Sequence, residues 1–380
     1  MIKAAKRLAI VEEYYFSKKL REVAGLMAAG KPIINMGIGS PDLAPPPQVV
    51  TAIQGSLLDA GAHKYQSYQG LPALRNAISN FYKEKFHVVA NPENEVLPLM
   101  GSKEGIMHIS MAFLNEGDHV LIPNPGYPTY TSVTKLVGAV PLLYNLSAEH
   151  NWQPNFEELE RQDLAAVKIM WVNYPNMPTG TNGTLAMFEK LVAFGKKHQI
   201  LIINDNPYSF VLNDNPISIL QVTGGKDIAL ELNSLSKTFN MAGWRVGMVL
   251  GNAGYINEIL KVKSNMDSGM FYGIQKGAIQ ALELSNDWFV AQNKIYQERR
   301  NLIWQLADKL GTTYDKETTG LFVWAKIPEG KKSEEVTDGI LYESDIFITP
   351  GTIFGSQGEG YIRFSLCVPV EIIKEAISRI

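Results

Sequence analysis

The 380-residue chain has a single cysteine, Cys367. One thiol excludes an intrachain disulfide and fits a reducing compartment. It sits in an apolar, strand-like run, which reads as a small core residue rather than a nucleophile. Long hydrophobic runs are also lacking, and none approaches the roughly 20 residues a membrane helix needs. The first 20 residues are studded with charges and have no apolar core leading to a cleavage site, so they do not read as a secretory signal. Nor is there a surplus of charge: 35 Lys and Arg against 38 Asp and Glu leave a formal net charge of -3. Nothing in that balance draws nucleic acid or an anionic membrane surface. Internal repeats and low-complexity tracts are missing as well. A cytoplasmic protein of ordinary globular composition is expected, 46 % hydrophobic and 19 % charged. Its length favours two domains over one.

What is present alternates. Ala4 to Ala29 reads as an interrupted helix ended by Gly30-Lys31-Pro32. A short strand from Ile33 then runs into Gly37-Ile38-Gly39-Ser40. Short apolar runs follow at Val96–Met100, His119–Ile122, Val167–Val172, Ile200–Ile203, Ile228–Leu232 and Val246–Leu250, with helical patterns such as Leu71–Lys85 and Phe188–Lys197 between them. This predicts a mostly parallel sheet covered by helices on both faces. After Gly273 a long helical region, Ile274–Leu310, precedes strand-like Phe322–Ala325, Phe347–Thr349 and Tyr361–Leu366 and a last helix from Val370. The expected division is a large domain over 45–273 and a smaller α/β domain from 1–44 and 274–380.

In such sheets ligands bind at the carboxyl ends of strands, and the unusual residues of this chain cluster there. Gly101-Ser102-Lys103 opens a helix, which is either a plain cap or a seat for an anion. Pro125-Gly126-Tyr127-Pro128 holds an aromatic between prolines. Asn173-Tyr174-Pro175-Asn176-Met177-Pro178-Thr179-Gly180 is a rigid turn bearing two asparagines. Asp205 ends another run. Beside a pyridine nitrogen about 4 Å away, at an effective dielectric near 20, its carboxylate would contribute about 4 kcal/mol towards keeping that nitrogen protonated. Ser234-Leu235-Ser236-Lys237 and Gly243-Trp244-Arg245 combine a lysine with hydroxyls and a guanidinium. A desolvated lysine attacks carbonyls, and hydroxyls with an arginine suit a phosphate. Together they suggest an aldehyde bearing a phosphate, pyridoxal 5′-phosphate. In the alternating run Tyr361–Leu366, Arg363 points away from Ile362 and Phe364 and requires an anion.

The order Tyr65…Gly70-x-x-x-Leu74-Arg75, Gly101-Ser102-Lys103, Pro125-x-Tyr127-Pro128, Asn173-x-Pro175-Asn176-x-Pro178-Thr179-Gly180, Asp205-x-x-Tyr208, Ser234-x-Ser236-Lys237, Gly243-x-Arg245-x-Gly247 and Arg363 resembles the class I/II aminotransferases of PLP fold type I. The stretch Lys263–Gln275 is similar to the branch containing LL-diaminopimelate and alanine aminotransferases. The resemblance implies that Lys237 forms the Schiff base with the cofactor, Asp205 pairs with its ring nitrogen and Tyr208 bonds its phenolic oxygen. It further implies that Tyr127 stacks on the ring and that Ser102, Lys103, Ser234, Ser236 and Arg245 bind the phosphate. Tyr65 would join them from the second subunit of a homodimer, and Arg363 with the Gly39 backbone would hold the substrate carboxylate. Met177 departs from the family pattern, which has asparagine there as a donor to the phenolic oxygen. Asn176 or Asn173 is expected to replace it.

The expected activity is transfer of an amino group from an L-amino acid to a 2-oxo acid by ping-pong half-reactions. Alternatives are a β-eliminating C–S lyase on the same scaffold and, remotely, a PLP-sensing module without turnover. The side-chain pocket is expected to draw on Tyr14, Tyr15, Ile38, Tyr68 and the Asn265–Ser268 turn, with Asp267 favouring a basic donor. No metal is expected.

Overall fold

The computed structural model describes residues 2–11 and 15–380. A seven-stranded sheet occupies its centre. With strands numbered along the chain, β1 is Ile34–Asn35, β2 Val96–Leu99, β3 His119–Asn124, β4 Val140–Asn145, β5 Val167–Val172, β6 Leu201–Asp205, β7 Ala229–Ser234 and β8 Gly247–Gly251. The spatial order is β2-β8-β7-β6-β5-β3-β4. The β4/β3, β3/β5, β5/β6 and β6/β7 pairs are parallel, whereas β8 runs against both its neighbours.

Alternation explains why the central strands are largely apolar on both faces. Met170 and Val172 of β5 join one core, while Ile169 and Trp171 join the other. Ile202 likewise goes one way and Leu201 and Ile203 the other. A strand buried on both faces has no side to leave polar. Helices Pro72–Phe86, Leu185–His198 and Tyr272–Leu282 contribute to the first core, and Ser102–Phe113, Pro128–Leu136 and Ala253–Lys263 to the second.

A further core forms around a four-stranded antiparallel sheet. Its strands are β9 (Thr313–Tyr314), β10 (Phe322–Lys326), β12 (Thr349–Pro350) and β13 (Tyr361–Ser365), ordered β12-β13-β10-β9. Between them β11, Ile346–Phe347, pairs in parallel with β1. The expected long helical region is two helices, Tyr272–Leu282 and Asn286–Lys309, interrupted at Glu283–Ser285. Likewise Phe347–Thr349 is split between β11 and β12. Among the described residues no helix is long and apolar enough to cross a membrane.

The loop after β1 is held from several directions. Ser365 N–H donates to the Met36 carbonyl at 2.8 Å, and Thr349 Oγ1 to that of Gly37 at 2.9 Å. Asp42 accepts a two-pronged pair from Arg299 at 2.7 and 2.8 Å. Arg299 is buried, and so planar a fork fixes orientation as well as distance. The backbone at Gly37 to Gly39 therefore enters the site as a rigid wall.

Candidate active site

A cavity of about 540 Å³ lies at the carboxyl ends of the central strands. Its walls include Asp205 from the end of β6, Ser234 from the end of β7, and Asn173 just past β5. Lys237 sits in a one-turn helix, Leu235–Thr238, directly after β7. Its ammonium donates to the Gly39 carbonyl. Burial holds its pKa below the usual lysine value, since a charge is poorly solvated there; Cys367 opposes this in part, and Arg363 and Arg245 add smaller pushes in the same direction as burial. Gly39 is required sterically: a Cβ there would lie 2.2 Å from Cζ of Phe322.

Asp205 is the acid of the site. Tyr130 donates to its Oδ2 at 2.8 Å, while Oδ1 is buried with no hydrogen-bond partner among the described residues. Burial raises the pKa to about 7, the Tyr130 hydroxyl opposing it only in part. Tyr130 is itself held flat on Trp171, ring centroids 4.9 Å apart, and meets the Tyr127 ring edge-on at 5.5 Å. Sequence reasoning singled out Tyr127 and missed Tyr130, although both stand in the same Pro-Gly-Tyr-Pro-Thr-Tyr run.

One end of the cavity collects cations. Ser102 is the first residue of helix Ser102–Phe113, so Gly101 rather than Ser102 occupies the cap position, with φ of 92° and no side-chain cap. The first-turn N–H groups consequently lack a side-chain acceptor and present the positive end of the helix dipole. A Cβ on Gly101 would fall 2.0 Å from Nη2 of Arg245. Arg245 adopts a left-handed backbone, φ 56°, and donates from Nη1 to the Ala242 carbonyl at 2.9 Å. Lys103 has its pKa lowered by burial and then by Arg245. Ser234 and Ser236 complete this end. Cations gathered on uncapped N–H groups form a receptor for a multiply charged anion.

Arg363 stands elsewhere in the cavity. It is 4 % exposed, and its guanidinium carbon lies 3.9 Å from the Phe322 ring centroid and 4.6 Å from that of Phe354. Nη2 donates to the Gly37 carbonyl at 2.7 Å, and Nη1 lies 3.4 Å from Sδ of Met177. Tyr208 also lines the cavity, its hydroxyl pKa pushed well up by burial.

Several expectations need correction. Asn176 does not line the cavity: its amide donates to the Asn173 carbonyl at 3.2 Å, and its Oδ1 accepts from Thr179 Oγ1 at 2.8 Å. It is consumed in shaping the turn. Asn173 does line it, but its amide donates to the Asp205 carbonyl and its Oδ1 accepts from the Met177 N–H at 2.8 Å. Asp267 faces away from the cavity and pairs with Lys263 at 2.8 and 2.9 Å. Both side chains are buried, and this i, i+4 pair leaves the carboxylate nothing to offer a basic substrate. The rest of the Asn265–Ser268 turn and Tyr68 are likewise not in the cavity wall, whereas Ile38 is. Tyr14 and the side chain of Tyr15 lie outside the described residues. Tyr65 is 90 % exposed and outside its own chain's cavity. Leu20, Phe322 and Phe354 line the site without having been anticipated.

An amine, an unpaired acid and two separate anion seats within one cavity demand a substrate and a helper molecule of matching charge, and known proteins supply the comparison. Residues 31–380 match the model for "Aminotransferase class I and II". The chain is 41 % identical over 381 residues to an LL-diaminopimelate aminotransferase of Maridesulfovibrio salexigens, covering 100 % of this chain and 98 % of that one. It is 39 % identical over 382 residues to the Aquifex aeolicus LL-diaminopimelate aminotransferase, covering 100 % and 99 %. Among solved structures it superposes on apo-BacF from Bacillus subtillis with a TM-score of 0.96 at 35 % identity, covering 100 % of this chain and 98 % of that one. Sequence, fold and cavity agree, and the chain belongs to the class I and II aminotransferases.

Proposed function

We propose that this aminotransferase works with pyridoxal 5′-phosphate seated between Asp205 and the cluster Ser102, Lys103, Ser234, Ser236 and Arg245. The observation that carries the reading is the buried, unpartnered Oδ1 of Asp205 in the same cavity as the Lys237 amine. A carboxylate pushed up to about 7 by burial is suited to a cationic ring nitrogen, whose charge would return it to the ionised form. The uncapped helix at Gly101 and the cations beside it suit the phosphate. When bound, this cofactor supplies an electron sink for the Cα carbanion of an amino acid.

The chain's own residues do the rest. Lys237, desolvated and readily deprotonated, would provide the covalent attachment point and would afterwards take the proton from the donor's Cα and return it to the cofactor carbon on the far side of the donor's nitrogen. Arg363 binds the donor's carboxylate by a two-pronged contact, and Tyr127 and Tyr208 fix the ring and its hydroxyl. Tyr208 and not Asn176 is the donor to that hydroxyl, because Asn176 is used within its turn. Tyr65, exposed on its own chain, reaches the phosphate of a partner in a homodimer. The division into a large unit over 45–273 and a smaller one from 1–44 and 274–380 places Lys237 and Arg363 on different units, and a cytoplasmic location is in keeping with the composition. The curated relatives are aminotransferases and lend the C–S lyase alternative no support.

Borohydride treatment of protein loaded with the cofactor, followed by peptide mass spectrometry, tests the reading. The added mass should sit on Lys237. An adduct on another lysine, or none in fully loaded protein, overturns it.

A further inference from the structure

Five charged side chains line the cavity: Lys103, Asp205, Lys237, Arg245 and Arg363. Each already has a task in binding the cofactor or the shared α-amino-acid group. Among the described residues no charged side chain of the wall is left over to read the variable part of a donor. The leucine, isoleucine and phenylalanine side chains of the wall are Leu20, Ile38, Phe322 and Phe354. Three of the four adjoin groups described above. Ile38 precedes Gly39, whose carbonyl receives the Lys237 amine. Phe322 closes against Gly39 and, together with Phe354, covers Arg363. Leu20 joins them from the first helix, Tyr15–Ala28.

We propose that this wall selects an amino donor with an uncharged, apolar side chain, aliphatic or aromatic, and that Leu20 is a specificity-determining residue. The inference rests on the aminotransferase reading and adds the substrate class to it. A carboxylate or ammonium pressed against leucine, isoleucine and phenylalanine loses its water and gains no partner. LL-diaminopimelate, the substrate named for the relatives, carries a second ammonium and a second carboxylate, and among the described residues the wall offers neither a counter-charge. Asp267, the nearest candidate by sequence, is already neutralised by Lys263.

Unreactive carboxylates separate the wall from the chemistry. Binding of 3-phenylpropionate, 4-methylpentanoate and glutarate to the loaded protein is measured by calorimetry, beside a donor panel of phenylalanine, leucine, aspartate, glutamate and LL-diaminopimelate. The two apolar carboxylates should bind about tenfold or more tightly than glutarate, and apolar donors should lead in kcat/KM by a similar factor. Leu20→Ala should weaken the apolar ligands about tenfold, with the cofactor still bound and the melting curve still cooperative. Leu20→Arg should reverse the preference towards glutarate. Glutarate binding as tightly as 3-phenylpropionate, or LL-diaminopimelate outrunning leucine and phenylalanine, overturns the proposal and leaves the aminotransferase reading intact. Apolar carboxylates binding best while no donor is turned over does the opposite. A Leu20→Ala protein indistinguishable from the parent removes Leu20 from the assignment.

Discussion

The cavity holds two arginines, and they are built in contrasting ways. Arg245 is exposed, sits on a left-handed backbone, and shares its end of the site with a lysine, two buried serines and an uncapped helix. Arg363 is buried between two phenylalanine rings, with a backbone carbonyl and a thioether as neighbours. The first arrangement spreads a large negative charge over many donors, which suits a group that stays bound through every turnover. The second concentrates recognition in one planar fork in a water-poor setting, which suits a carboxylate that must arrive and leave. Binding energy distributed widely gives retention; concentrated, it gives discrimination.

Breaking the concentrated end should cost most. Arg363→Ala is expected to lower kcat/KM by about 30-fold or more, since truncating one partner of a buried charge pair costs roughly 2–5 kcal/mol. The cofactor's dissociation constant should barely change, and steady-state kinetics with equilibrium dialysis would check both. If the cofactor were lost as well, the two ends would not be independent.

Next is the acid between them. The pKa of Asp205 is raised by burial to about 7 in the folded cofactor-free protein, and that of Glu231, buried within β7, is raised to about 7 too. A folded-state pKa above the unfolded value gives stability that is full at low pH and lost as pH rises through the folded pKa. Cofactor-free protein should therefore lose stability between about pH 4 and pH 7, on the order of a few kcal/mol. Asp205→Asn should flatten part of that slope and melt higher than the parent at pH 8 without cofactor. Denaturant titrations across pH would show it, and an unchanged slope would count against a buried, unpaired carboxylate.

Arg245→Ala probes the distributed end. With other donors remaining, cofactor affinity should fall about tenfold, the scale of one hydrogen bond to a charged group, and its salt dependence should weaken. The smallest effect expected is that of Phe354→Leu, which removes one aromatic face from Arg363: about 1 kcal/mol in carboxylate binding, with cofactor affinity untouched. A larger loss for Phe354→Leu than for Arg245→Ala would invert the comparison.

Much of this was readable in the sequence because strand ends in a parallel sheet carry the chemistry, and polar residues breaking apolar runs are conspicuous there. Asp205, Ser234, Lys237 and Gly101-Ser102-Lys103 stood out for that reason. Strand β4 did not, because as an edge strand it is mostly exposed and contains Pro141. The aromatic cover on Arg363 comes from Phe322 and Phe354, far apart in sequence and ordinary in their local patterns. Leu20 carries no local signal at all, and only the folded chain brings it to the cavity. Asn176 was misassigned because a turn-forming asparagine and a ligand-binding one look alike until the carbonyls they serve are seen. The Lys263–Asp267 pair went unread, although its i, i+4 spacing was there to suggest it.

One strand of the central sheet, β8, runs opposite to the others. Because of that reversal the chain leaves β7 and re-enters the sheet at the same edge of the molecule, with no helical crossover to the far side. Lys237 and Arg245 thus share a single short tether anchored at both ends. Changing that tether's length by even one residue would displace both groups together, so this segment should tolerate side-chain exchange far better than insertion or deletion.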